Sequence, residues 1–264
     1  MEMLCFNLVK QGLLGEILHA EGGYLHDLRG IKFADEGEGL WRRDHSRERN
    51  GNLYPTHGLG PVANCMDINR GDRFATLVSM SSPSRGLQLW AQENYPPDHP
   101  KRREEFVLGD VNYSMIQTAL GRTILVGHDT NLPRPYSRIN TVQGTRGIFT
   151  DYPGRVYVEG ISDPHRWDEA EKWLEEHDHP LWQEMAERSA GAGHGGMDFM
   201  EDYRLIKCIR EGLPTDMNVY DAAALSAVTP LSEWSVANGG APMEFPDFTR
   251  GRWQSWPRLE VFGA

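Results

Sequence analysis

The 264-residue chain carries 8 Trp, 9 Tyr and 9 Phe within a hydrophobic fraction of 39%, enough for the core of one large domain or two small ones. Its net charge of −11 argues against a nucleic-acid partner, because phosphate tracking rests on clustered Lys and Arg. Its 3 cysteines, Cys5, Cys65 and Cys208, lie far apart and outside any CxxC pattern, which excludes a disulfide framework and leaves small buried hydrophobes.

Residues 1–12 read as a helix, with apolar side chains at positions 1, 4, 5, 8 and 9 on one face. Gly12 suits its C-terminus, and no N-cap residue introduces it. Two readings are open there: chain precedes the helix, or the terminus is natural and frays. No apolar run approaches the ~18 residues that span a membrane, and residues 1–11 lack the basic segment and apolar core of a signal peptide. Residues 16–28 partly alternate and read as a strand entering a loop that continues through 35–39 to Trp41-Arg42-Arg43-Asp44. His26 with Asp27, and Asp44 with His45, carry metal-ligating atoms. Neighbours on a strand point to opposite faces, so neither pair chelates easily. Arg42 reads either as a stacked arginine that grips a carboxylate or hydroxyl, or as a solvated charge among Arg43, Arg47 and Arg49.

Residues 49–61, Arg49-Asn50-Gly51-Asn52-Leu53-Tyr54-Pro55-Thr56-His57-Gly58-Leu59-Gly60-Pro61, set a phenol, a hydroxyl and an imidazole among turn formers. Tyr54 is pushed out of the helical region by Pro55, and Pro61 suits the first position of a helix reaching about residue 69. This is a polar binding site or an ordinary strand-to-helix connection. Gly58-Leu59-Gly60-Pro61-Val62-Ala63 matches a dinucleotide pattern in letters, but the apolar strand that must precede it is missing.

Residues 74–80 form a strand, and 81–100, with four prolines, a loop with a short helical piece. Residues 111–119 and 122–130 read as a hairpin closed at Leu120-Gly121, with Tyr113, Met115 and Gln117 against Ile124, Val126 and His128. Short strands follow at 137–143, 147–149 and 155–159. Sequential strands with short turns favour an antiparallel or mixed sheet. Asn131-Leu132-Pro133-Arg134-Pro135-Tyr136 is a stiff loop that presents Tyr136 or packs it. Helices are predicted from 163 to 177, 180 to 189, 197 to 212 and 220 to 236, the last containing Pro230. His194, among four glycines, has little side-chain mass around it to pack on.

Several of these stretches together resemble the NAD-dependent α-N-acetylgalactosaminidases of glycoside hydrolase family 109, within the Gfo/Idh/MocA oxidoreductase superfamily. They are the 49–63 segment, Trp41-Arg42, the run from Leu18 to Arg29, Pro133-Arg134-Pro135-Tyr136-Ser137-Arg138, His194-Gly195-Gly196-Met197-Asp198 and Pro230-Leu231-Ser232-Glu233-Trp234-Ser235. The resemblance spans nearly the whole chain but reaches only the family's C-terminal portion. It implies an α+β fold: an open mixed or antiparallel sheet with helices on one face. Residues 1–264 are then expected to form a single substrate-binding domain, with the N-terminal Rossmann domain that holds the NAD, and a site tyrosine ahead of the first helix, absent.

The resemblance also implies the chemistry. NAD oxidises C3 of the sugar, a base removes the acidified C2 proton, the glycosidic group leaves, water adds and the hydride returns; this is an exception to the two-carboxylate device. Arg42, Tyr54, Pro55, Thr56, His57 and Tyr136 fall on substrate-contact positions, with Tyr54 and His57 as catalytic candidates and His194 and Asp198 as second-tier ones. His57, with an ordinary pKa of ~6.5, is suited to handle the 3-OH proton. The chain is expected to hold no cofactor residues of its own and no metal, and to be inactive alone. The sheet is expected to support pairing of two copies. Family members are bacterial and often exported. The alternatives are a sugar oxidoreductase of the same superfamily and a non-catalytic sugar-binding or oligomerisation module.

Overall fold

The computed structural model describes residues 1–261. In chain order it runs α1 (Glu2–Lys10), β1 (Ile17–Leu25), α2 (Arg29–Lys32), α3 (Glu38–Glu48), α4 (Thr56–Cys65), β2 (Phe74–Ser81), α5 (Gly86–Asn94), β3 (Val111–Thr118) and β4 (Thr123–Asp129). There follow β5 (Thr141–Gly144), β6 (Gly147–Thr150), β7 (Arg155–Val158), β8 (Asp168–Glu169), α6 (Glu171–His177), α7 (Pro180–Ser189), α8 (Met197–Glu211), α9 (Val219–Ala237) and β9 (Met243–Glu244).

The strands form one open, mixed sheet in the order β8-β7-β6-β5-β1-β4-β3-β2-β9. β1 lies parallel to β4, and the other neighbours are antiparallel. Period-two alternation separates its faces. In β3, Asn112, Ser114, Ile116 and Thr118 are buried while Tyr113, Met115 and Gln117 are exposed. The buried face meets α4 and α9, with α1 behind α4. Leu59, Val62, Leu77, Ile116, Ile124, Val126 and Val228 share that core with no exposure. The opposite face carries exposed Met80, Tyr113 and Met115. The expected sheet with helices on one face is thus present.

Four details differ from the sequence expectation. The 35–44 loop is largely helix: α3 is polar, with Leu40 and Trp41 exposed, so it shows no apolar stripe to read. α4 starts at Thr56, five residues before Pro61, which lies inside the helix. Pro55 ends the turn, and Pro61 merely fails to donate to the His57 carbonyl. The hairpin register is one residue off: Ser114, Ile116 and Asn112 face Val126, Ile124 and His128. Both strands carry apolar residues on both faces, so hydrophobicity did not fix parity. Finally, 163–170 is turn and strand, and helix begins only at Glu171.

Candidate functional site

The site is built where β1 ends and α4 begins. Gly22 on β1 and Gly58 on α4 touch backbone to backbone, and a Cβ on Gly58 would meet the Gly22 carbonyl carbon at 2.7 Å. Only glycines allow that approach. It brings the first turn of α4, with Thr56 and His57, beside Tyr24 near the end of β1.

Four rings converge. Tyr24 lies 4.5 Å from Tyr54, 5.1 Å from His57 and 6.2 Å from Tyr136, centroid to centroid. Tyr54 and His57 are 4.9 Å apart. His26 joins edge-on to Tyr136 at 5.1 Å, and its Nδ1 is 3.4 Å from the Tyr24 hydroxyl. Such tilted and edge-on packing is the favoured aromatic geometry. Tyr136 is held over β1 because Ser137 pairs with Leu25, donating and accepting at 2.9 and 3.0 Å, while the Gly23 amide donates to the Arg138 carbonyl at 2.8 Å.

Arg42 closes one side. It projects from α3, is 7% exposed, and sits 5.1 Å over Tyr54, 4.3 Å over Trp41 and 6.0 Å over Tyr24. A desolvated cation on an aromatic face contributes about 1–2 kcal/mol. Its Nε donates to Glu38 at 2.8 Å. The reading of Arg42 as a solvated charge therefore gives way to a stacked arginine. Arg138 closes the other side, 5.9 Å over Tyr136, with its Nε donating to the Tyr152 hydroxyl at 3.0 Å and pairing with Glu2 at 2.9 Å.

Burial, then the charges of Arg138 and Arg42, holds the His57 imidazole below its ordinary range. It is neutral at neutral pH and can accept a proton. Burial raises the Tyr24 and Tyr136 phenols, which stay protonated as donors.

The structure therefore brings together Arg42, Tyr54, Thr56, His57 and Tyr136. Thr56 and His57 lie in the first turn of a helix rather than in a loop, Thr56 exposed and the His57 ring partly covered by Tyr24 and Tyr54, and Pro55 is buried. His194 and Asp198 form a separate exposed pair, Nδ1 to carboxylate at 2.9 and 3.0 Å, with His194 at φ +50. No ring or hydrogen-bond contact among the described residues joins this pair to the cluster; His194 reaches His57 only as the smallest of the charges that lower it. Sequence reasoning passed over Tyr24 and Arg138; the run Gly22-Gly23-Tyr24 at a strand end was the available signal. The metal-ligand pairs are otherwise engaged: Asp27 accepts from Arg29 at 2.8 and 2.9 Å, and His45 packs on Trp41 at 5.5 Å. The dinucleotide-like glycines do not cradle a phosphate. They lie inside α4, with Gly58 pressed on β1, so the described residues do not fit an NAD pyrophosphate there.

The pattern described as "Glycosyl hydrolase 109, C-terminal domain" matches residues 1–255. A "Glycosyl hydrolase family 109 protein" of Solibacter usitatus is 53% identical over 255 residues, covering 96% of this chain and 58% of the relative. A protein of Tannerella forsythia named "Alpha-N-acetylgalactosaminidase" is 49% identical over 269 residues, covering 95% of this chain and 58% of its own length. The chain thus spans well under two thirds of these relatives. Among solved structures, a levoglucosan dehydrogenase in complex with NADH and L-sorbose has a TM-score of 0.63 at 20% identity, covering 94% of this chain and 64% of that one. An oxidoreductase domain protein from Kribbella flavida has a TM-score of 0.62 at 16% identity, covering 93% of this chain and 63% of its own. These two share the fold of the open sheet with its helices.

Proposed function

The chain belongs to glycosyl hydrolase family 109, as its C-terminal domain, and from that premise we propose that it is the substrate-binding half of a glycosidase. The substrate is a terminal α-N-acetylgalactosamine or a related glycoside. The observation that carries the reading is the convergence of Tyr24, Tyr54, His57 and Tyr136 rings within 4.5–6.2 Å, flanked by stacked Arg42. Ring faces pack on sugar C–H groups, phenols and guanidinium N–H groups donate to hydroxyls or an acetamido carbonyl, and Thr56 adds an exposed hydroxyl.

Within this reading the neutral His57 imidazole accepts the 3-OH proton, and Arg42 and the phenols fix the ring beneath it. The carboxylates at the two sides of this cluster, Glu38 and Glu2, are engaged by Arg42 and Arg138, so the groups present suit proton handling at a hydroxyl better than a pair of free flanking carboxylates. An NAD held outside these residues would supply the hydride chemistry at C3. The test is a version carrying an N-terminal NAD-binding domain, assayed with NAD and a chromogenic α-N-acetylgalactosaminide. Turnover is expected, with a loss of 10²-fold or more in His57→Ala, the usual range for a removed proton-transfer group. No turnover, or an unaffected variant, contradicts the proposal.

A second reading, sugar oxidation, is favoured by the fold shared with levoglucosan dehydrogenase. The same assay separates them, since net NADH accumulation with free sugar marks an oxidoreductase. Exposed Met80, Tyr113 and Met115 on the uncovered sheet face support pairing of two copies there. A monomer by sedimentation at micromolar concentration would oppose it.

A further inference from the structure

Lys32 is almost fully buried, at 3% exposed. Its three ammonium hydrogens match three neutral oxygens: Ser46 Oγ at 3.0 Å, Thr130 Oγ1 at 2.8 Å and Asn131 Oδ1 at 2.6 Å. A buried ammonium is costly, and neutral acceptors compensate less than an ion pair. Charge here therefore demands a reason beyond packing. The three acceptors come from two different places. Thr130 and Asn131 follow the end of β4, beside the ring cluster. Ser46 lies on α3, one turn beyond Arg42, and its Oγ donates to the Arg42 carbonyl at 2.8 Å. The Ser46 carbonyl in turn accepts from the Val107 and Leu108 amides at 3.1 Å, and Asn131 Nδ2 donates to the Leu108 carbonyl at 3.4 Å. Lys32 is the node where α2, α3, the 107–108 segment and the end of β4 are joined.

α3 needs such a node. It exposes Leu40 and Trp41 and has no apolar stripe to seat it, yet it must hold the Arg42 guanidinium at a fixed height over Tyr54. We propose that Lys32 is a positioning residue for Arg42: its ammonium ties the Ser46 turn of α3 to the end of β4 and so sets where the guanidinium meets the sugar. This rests on the reading of Arg42 as a sugar-binding group.

The groups that face Lys32 are Arg42 from α3, Asp110 from the segment before β3, Asp129 from β4 and His128 from β4. Burial, reinforced by Arg42, lowers the ammonium to about 7. Above that pH the amine keeps two hydrogens and a lone pair that the Thr130 hydroxyl can fill, but it loses the charge that strengthens all three bonds, and the tie slackens. His26, His57 and His128 are all held below the ordinary imidazole range, first by burial.

The test measures amide protection over residues 38–48 by hydrogen exchange, and N-acetylgalactosamine affinity by calorimetry, at pH 6.5 and 8. The expected result for the 264-residue chain is a fall of about threefold in both between these values, after correction for intrinsic exchange. Lys32→Met is expected to lower protection and affinity about tenfold at pH 6.5 and to abolish the pH dependence. Ser46→Ala, which cuts the link to α3 and leaves two acceptors, gives the same direction and decides the matter if Lys32→Met does not fold. Protection over 38–48 unchanged in the folded variant, or a pH dependence that survives, overturns the proposal. If Arg42→Ala binds the sugar like the parent chain, or the parent chain does not bind it, the site reading fails while the exchange arm still decides the tie.

Discussion

At the residue scale, Tyr24 is the hub of the ring cluster. Tyr24→Ala removes contacts to the rings of His26, Tyr54, His57 and Tyr136 and is expected to weaken N-acetylgalactosamine binding at least tenfold, about 1.4 kcal/mol. Tyr24→Phe keeps the ring and drops only the 3.4 Å contact to His26, so calorimetry should show a change within threefold. His128, fully buried with Nδ1 unpartnered, makes a pH prediction. Burial lowers it from 6.5 to about 3, so the folded chain keeps it neutral where the unfolded chain is protonated. Its folded pKa is depressed, so stability is lost as pH falls below 6.5 and the loss continues toward about 3. By pH 5 this amounts to roughly 2 kcal/mol. His26, His57 and His179 are lowered in the same direction and add to the slope. The difference between urea midpoints at pH 7.5 and 5 should shrink in His128→Leu, with the remainder left to the other three histidines; a slope equal to that of the parent chain would remove His128 from the account.

At the element scale, the contact of α4 on β1 decides whether the site exists. Gly58→Ala places a methyl into the Gly22-Gly23 backbone, where no flexible side chain can yield. It should cost about 3 kcal/mol, the upper range for overpacking, and abolish sugar binding by lifting Thr56 and His57 from Tyr24. A urea midpoint unchanged from the parent chain would show that the helix can slide. Elements of this kind differ in how far they could be read. α1, α7, α8 and α9 carry apolar periodicity or terminal signals, and α8 ends at Gly212 with φ +67, as its glycine indicated. α3 carries neither, because polar contacts hold it: Lys32 donates to Ser46 at 3.0 Å and Arg43 pairs with Glu104 at 3.6 Å. The 111–130 hairpin was visible but its parity was not, since Tyr113 and Met115 are as apolar as a core pair and yet face outward. Tyr54, Thr56, His57 and Tyr136 were singled out by resemblance. Spacing alone left them equivocal, because no local pattern says that residues 24, 42, 54 and 136 meet.

At the scale of the whole molecule, the described residues form an open nine-stranded sheet whose helical side carries the cluster of groups suited to a sugar. Its own glycine-rich segment is occupied in packing. The 264-residue chain is therefore expected to bind NAD only weakly, and a stoichiometric NAD retained through purification would contradict that. The most direct test of the central claim is calorimetric titration of the chain with N-acetylgalactosamine beside its Arg42→Ala and Tyr54→Ala variants. The account predicts saturable binding by the parent chain and at least a tenfold loss in each folded variant. No binding by the parent chain, or equal binding by all three, would contradict it.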